Sequence, residues 1–187
     1  MYKLRELERK DLQIINTWRN DPELIQYLGA PYRFINMDVD NQFYDGYMAS
    51  RNTTVRCAIV TDKSDVILGL ITLANVNYLN QTAVLHIMIG DKDNHGKGIG
   101  TFAVSTMVAH AFYNMNLRRV ELNVLTSNER AIHVYEKVGF KREGLKRKAV
   151  YKNGEFVDMY SYAVLKEEFT GINELVNIES AADTASL

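Results

Sequence analysis

Between residues 91 and 103 the chain reads Asp-Lys-Asp-Asn-His-Gly-Lys-Gly-Ile-Gly-Thr-Phe-Ala, with glycines at 96, 98 and 100. A strand-type apolar run, Val84 to Gly90, precedes it, and a helix-type run from Ile99 to about Met115 follows. The first N–H groups of a helix have no partner within it, and the aligned peptide dipoles place partial positive charge there. Glycines leave that end bare, so anionic oxygens can approach closely. The chemistry this pattern suits is the holding of a diphosphate by the main-chain N–H groups of Gly96, Lys97, Gly98, Ile99, Gly100 and Thr101. Lys97 and His95 add positive potential, and Lys92 is placed to meet an outer phosphate. A tight solvent turn is the other reading of the glycines; three of them at one strand-to-helix junction favour the site.

Three phosphate-binding patterns compete for this loop. A P-loop needs a glycine, four residues, then Gly-Lys-Ser/Thr, and Gly96-Lys97-Gly98 does not supply it. Gly98-Ile-Gly-Thr-Phe-Ala103 fits the dinucleotide fingerprint G-x-G-x-x-A, but that motif starts directly after a strand, whereas here a polar stretch intervenes and antiparallel hairpins come first. The third pattern is Gln or Arg, two residues, Gly, any residue, then Gly or Ala, opening a long helix. His95-Gly-Lys-Gly-Ile-Gly100 resembles it, with His95 in the Gln/Arg position. This is the acetyl-CoA loop of the GCN5-related N-acetyltransferases. Asn128-Glu-Arg-Ala-Ile-His-Val-Tyr-Glu-Lys-Val-Gly-Phe140 resembles that family's second signature, Asn-x-x-Ala-x-x-x-Tyr-x-x-x-Gly-Phe. Arg142 to Arg147, Asn153 to Asp158 and Leu165 resemble the subgroup of ribosomal-protein-alanine, spermidine and amino-sugar acetyltransferases. The likeness runs from Tyr2 to Glu168.

The resemblance implies an α/β (α+β) fold with a central mixed, mostly antiparallel sheet of about seven strands flanked by helices. It implies that the sheet splays at its middle strands to hold acetyl-CoA as acetyl donor, without a metal. Ile87, Met88 and Ile89 would then line the pantetheine arm, although read alone they are core residues. Tyr135 would protonate the departing thiolate, a role a phenol can fill because general-acid efficiency depends on position as well as pKa; otherwise it is packing with a wet hydroxyl. Asn128 and Ala131, from the same signature, would contact the cofactor, although an Asn at a helix start is also an ordinary cap.

A cationic amine must lose a proton before it attacks, so a base or a water relay is required. Many relatives carry a glutamate near the start of the loop-bearing strand, where this chain has Val84. His86 shares a strand face with Val84 and has a near-neutral ordinary pKa, which makes it the local candidate; a histidine satisfied within the sheet is the alternative. The acceptor pocket implied by the resemblance lies between the N-terminal helices and the last hairpin, which points to Trp18, Tyr32, Arg33, Asn75 and Tyr160. Spermidine enzymes bear an acidic pair before the Pro-Tyr of this segment, but here it reads Leu28-Gly-Ala-Pro-Tyr-Arg33. A peptide N-terminus or an amino sugar suits that change better than a polyamine. Two other readings stand beside the acetyltransferase: a non-catalytic acyl-CoA-binding regulatory module, and a nucleotide-dependent oxidoreductase.

The elements that must place these residues follow from periodicity. Tyr2–Leu7, Val55–Thr61, Val66–Val76, Ala83–Ile89, Arg118–Leu125, Phe140–Tyr151 and Phe156–Leu165 read as strands. Asn153-Gly154 is a strong hairpin signal. Helices are expected from Asp11, as cap, to Asn20, with Leu12, Ile15 and Trp18 on one face, then over Pro22–Tyr27, Val39–Ser50, Ile99–Met115 and Asn128–Val138. One domain over 1–169 is expected, with a frayed tail at 170–187.

Bulk properties narrow the class. Lys plus Arg number 22 and Asp plus Glu 23 in 187 residues, which gives no sign of a nucleic-acid partner. The single cysteine, Cys57, allows no internal disulfide or cysteine-based zinc site and reads as a small buried hydrophobe. The charged start and the lack of a long apolar run predict a cytoplasmic protein with no membrane association. Its expected partner is a small-molecule or peptide amine. Homodimers are common among the proteins it resembles, although no residue marks an interface.

Overall fold

The computed structural model describes residues 1–90 and 96–171. Lys92, His95 and the tail from residue 172 lie outside the described residues. Seven strands form one sheet: β1 (Tyr2–Glu6), β2 (Val55–Thr61), β3 (Ser64–Asn77), β4 (Thr82–Ile89), β5 (Arg119–Leu125), β6 (Lys141–Lys152) and β7 (Glu155–Leu165), in the order β1-β2-β3-β4-β5-β7-β6. Every neighbouring pair is antiparallel except β4–β5, which is parallel. Helices α1 (Leu12–Arg19), α2 (Pro22–Ile25) and α3 (Met37–Ala49) cover one face, and α4 (Ile99–Ala109) and α5 (Glu129–Val138) the other.

The alternation of strand side chains makes two cores. Ile59, Ile71, Leu73, Ala83, Leu85, Val120, Leu122 and Val124 face α4 and α5. Ala58, Val60, Ile67 and Leu70 face α1 to α3, where Leu12, Ile15 and Trp18 supply the apolar stripe of α1. Helix α4 is apolar around most of its surface because it is enclosed by the sheet and α5.

Most elements fall within a residue or two of their expected bounds. Asn153 and Gly154 take φ of 49° and 92°, the left-handed pair a two-residue hairpin turn requires. Two expectations are corrected. Asp11 does not cap α1: its carboxylate is held by Arg5 at 2.8 and 2.7 Å and by the Glu8 N–H at 2.9 Å, and Arg9–Asp11 form a 3-10 turn leading into the helix. The helix begun at Ile99 is α-helical only to Ala109, and His110–Asn114 continue as a π turn.

Candidate active site

Strands β4 and β5 pair only over Thr82–Val84 and Arg119–Glu121. Beyond this, β5 stays in register with β7 to its end, while β4 keeps β3 as its only partner from Leu85 to Ile89. The sheet therefore opens between its two parallel strands, at their carboxyl ends. In open α/β sheets this is where ligands bind, because loops diverge there and helix N-termini converge.

Which backbone groups face the opening follows from the β3–β4 ladder. The Gly90 N–H bonds the Leu68 carbonyl at 3.0 Å, so alternate residues on β4, including Met88 and His86, also exchange bonds with β3. A Cβ at Gly69 would stand 2.6 Å from the Met88 carbonyl oxygen, which places that oxygen on the β3 side. Ile87 and Ile89 turn their N–H and C=O groups toward the opening instead. Their side chains pack on the first core, whereas Met88 packs on the second. Of the three expected to line the arm, only Ile87 and Ile89 present free backbone there.

At the wide end of the opening stands the mouth of α4. Helices α2, α3 and α5 are each capped by a side-chain oxygen, from Asp21, Asn36 and Asn128; α4 is capped by Gly98, which offers none. Gly98 and Gly96 have φ of 80° and 77°, a region costly for residues with a Cβ, and a Cβ on either would meet open space. Their bareness thus serves the loop's conformation and leaves its outer side clear. Gly100 differs: a Cβ there would make ordinary contact with Val134 of α5, at 3.6 Å. Tyr2 donates its hydroxyl to the Lys97 carbonyl at 3.3 Å and sets its ring 5.9 Å from that of Phe102, tying the loop to β1. The exposed Lys97 side chain is left to project from the loop.

The contact between Gly100 and Val134 places the second turn of α5 beside the first turn of α4, and Tyr135 follows Val134 in the chain. Tyr135 is 7% exposed, with its ring 5.9 Å from Phe140. Burial alone pushes its hydroxyl up to about 12, so it remains a proton donor at neutral pH. No group among the described residues hydrogen-bonds that hydroxyl; the neighbouring Tyr162 instead gives its own to Glu136 at 2.8 Å. Asn128 caps α5 through its amide oxygen to the Ala131 N–H at 3.2 Å, and its amide nitrogen donates to the Tyr27 carbonyl at 3.0 Å.

On the face turned toward α1 to α3, His86 stands across from Thr72, which in turn pairs with Arg56. Its ring is reached by solvent yet hemmed in by protein atoms. That burial, and then the positive charge of Arg56, lower its pKa, so the imidazole is neutral and can accept a proton. The same face carries Glu121, the direct partner of Val84 in the last pair before the strands part. Its carboxylate takes two long bonds from Arg119, 3.4 and 3.3 Å, while Arg119 is gripped more tightly by Glu143 at 2.7 and 2.5 Å. Neither Glu121 nor Tyr2 was singled out from the sequence. Register across non-consecutive strands leaves no local signal for either.

The acceptor-side residues divide. Trp18 is buried against the end of β4, close enough that a Cβ on Gly90 would fall 1.8 Å from its ring. Tyr32 donates its hydroxyl to the Asn20 carbonyl at 3.3 Å and stacks edge-on with Phe34 at 5.5 Å, and Arg33 is exposed beside it. Tyr160 packs on the opposite side of the sheet under the guanidinium of Arg142, 4.7 Å away. Asn75 sits exposed in a bulge, at φ 53°, beside the narrow end of the opening. Cys57 is no nucleophile, since burial pushes its thiol up to about 11.

From the apex at Val84 to Ile89, β4 covers about 16 Å. A ligand with phosphates at the α4 mouth therefore needs an arm of that length to reach the apex, and a bare nucleotide stops short. Known proteins agree with this geometry. The family profile described as "Acetyltransferase (GNAT) domain" matches residues 2–141. A spermidine N(1)-acetyltransferase of Vibrio cholerae is 27% identical over 172 residues, 91% of this chain and 96% of that protein. The putative ribosomal N-acetyltransferase YdaF of Bacillus subtilis is 36% identical over 103 residues, 55% of this chain and 56% of its own. The crystal structure of the Vibrio cholerae spermidine N-acetyltransferase with CoA and spermine superposes with a TM-score of 0.83 at 26% identity, covering 89% of this chain and 96% of that one.

Proposed function

Because this chain belongs to the GNAT family of acetyltransferases, we propose that it moves an acetyl group from acetyl-CoA directly to a primary amine, with both substrates bound together. The observation that carries this reading is the alignment of three features: an uncapped glycine mouth, an opening lined by the free backbone of Ile87 and Ile89, and the unbonded Tyr135 hydroxyl. Acetyl-CoA, when bound, supplies the thioester carbonyl that the amine attacks.

The N–H groups of Ile99, Gly100 and Thr101 bind the diphosphate, and Lys97 adds charge from the loop. Ile87 and Ile89 hold the arm by strand-like bonds. Tyr135 Oη holds the proton that the departing sulfur takes up. His86, neutral and on the acceptor face, takes the proton from the incoming ammonium, and Glu121 adds negative charge near the apex. Asn128 has its oxygen committed to the cap, so any contact with the arm falls to its remaining N–H.

The acceptor side favours an amine carried on a partly anionic or aromatic-tolerant molecule, such as a peptide N-terminus or an amino sugar. Exposed Arg33 and the Tyr32–Phe34 pair stand where a polyamine would need carboxylates. Release of CoA thiol, measured with an alanyl hexapeptide, a nucleotide amino sugar and spermidine, tests both levels. No release with any of them sinks the transfer reading, and fastest turnover of spermidine sinks the acceptor preference alone.

A further inference from the structure

The last residue of β6 is a buried cation that the chemistry above does not use. Lys152 is 9% exposed. Its ammonium donates to the carbonyls of Ile25, at 2.9 Å, and Ala30. Burial lowers its pKa, and no carboxylate among the described residues pairs with it to offset that cost. A charge kept at such a place is tolerated only because its hydrogen bonds replace lost water. Both partners lie in the segment that ends α2 and begins the loop bearing Tyr32 and Arg33.

That segment is fixed elsewhere too. The Tyr27 carbonyl accepts from Asn128, the cap of α5, at 3.0 Å. Gly29 lies so close to Met159 of β7 that an added Cβ would stand 3.1 Å from its terminal methyl. Upstream, Trp18 covers Gly90 at the carboxyl end of β4. Residues 18–30 therefore run from the end of β4, past the cap that follows β5, to the β6–β7 hairpin. They form a strap across the mouth of the opening.

We propose that Lys152 is a positioning residue for the amine acceptor: its bonds to Ile25 and Ala30 hold this strap, and with it Tyr32 and Arg33, over the mouth. It touches no reacting atom, and its effect on turnover rests on the acetyl-transfer reading above. Lys152→Met keeps the apolar stem and deletes the donors, leaving two carbonyls without their partner. With an alanyl hexapeptide and spermidine as probes, the KM for any amine turned over rises at least tenfold. The kcat and the dissociation constant of acetyl-CoA stay within threefold. Amide hydrogen exchange over residues 26–30 quickens at least tenfold, while that of β5 is unchanged. A folded variant with wild-type KM and wild-type exchange overturns the proposal. If Lys152→Met does not fold, the wild type decides. Its amides over 26–30 exchange at least a hundredfold slower than in a free peptide, and free-peptide rates there refute the strap. A wild type that acetylates neither probe counts against the transfer reading, and the exchange arm still judges the latch.

Discussion

Replacing Tyr135 by phenylalanine removes one oxygen from a side chain that is 7% exposed and packed 5.9 Å from Phe140. Because no described residue bonds that oxygen, the fold loses no protein hydrogen bond, and unfolding free energy changes by less than about 0.5 kcal/mol. Turnover behaves differently. A positioned general acid contributes roughly 10²–10⁴ in rate, or about 2.7–5.4 kcal/mol of barrier at 1.36 kcal/mol per decade. The expected result is a fall in kcat of at least a hundredfold, read as CoA thiol release at saturating acetyl-CoA and amine. Binding of acetyl-CoA is followed in the same variant by fluorescence of Trp18, the chain's one tryptophan, which lies on Gly90 beside the opening; its affinity stays within threefold. In the wild type the hydroxyl is pushed up to about 12, so loss of the donor gives no descending limb in kcat below about pH 11. Turnover within twofold of wild type in Tyr135→Phe, with cofactor binding intact, would remove this residue from the mechanism.

Other substitutions separate the roles of the glycines. Gly98→Ala forces a Cβ into the left-handed region over the α4 mouth; it costs about 1–2 kcal/mol in a denaturant melt and weakens acetyl-CoA at least tenfold in the Trp18 titration. Gly100→Ala, in the helix at ordinary contact distance from Val134, should instead stabilise by about 0.5–1 kcal/mol, and a loss in the same melt contradicts the α4–α5 packing described. Gly90→Ala drives a methyl into the Trp18 ring and is expected to cost about 1–3 kcal/mol and to shift the tryptophan emission; an unchanged spectrum places Trp18 elsewhere. Alkaline pH supplies a fourth test. The folded-state pKa of Tyr135 is raised, so its contribution is complete below about pH 10 and is lost as pH climbs toward 12. By pH 11 that loss reaches about 1.4 kcal/mol, and Tyr135→Phe flattens this part of the stability profile measured by denaturant unfolding between pH 8 and 11.

Local patterns carried far into this protein. Positive φ at Gly96, Gly98 and the Asn153-Gly154 turn is a property of short stretches, and glycine or asparagine at those positions announces it without help from distant residues. The stripe of Leu12, Ile15 and Trp18, and the strand alternation that sorts Ile59 from Ala58 and Val60, follow from helix and strand periods alone. Tyr135 was visible for the same reason, as part of an apolar face at helical spacing. The N-cap assigned to Asp11 failed because a carboxylate can serve one set of partners, and folding brought Arg5 within bonding distance before the helix N–H groups could compete. The opening itself was invisible to spacing: β4 alternates in the same way whether or not a strand lies beside it, so the parting after Val84 and Glu121 appears only when β5 is in place. Lys152 makes the point most sharply. In the chain it follows a basic run and reads as a solvated charge, yet its bonding partners lie 127 and 122 residues away. Sequence determined what each segment could become, because dihedral preference and period are local; the tertiary structure decided which backbone groups were left unpaired, because pairing depends on what arrives alongside.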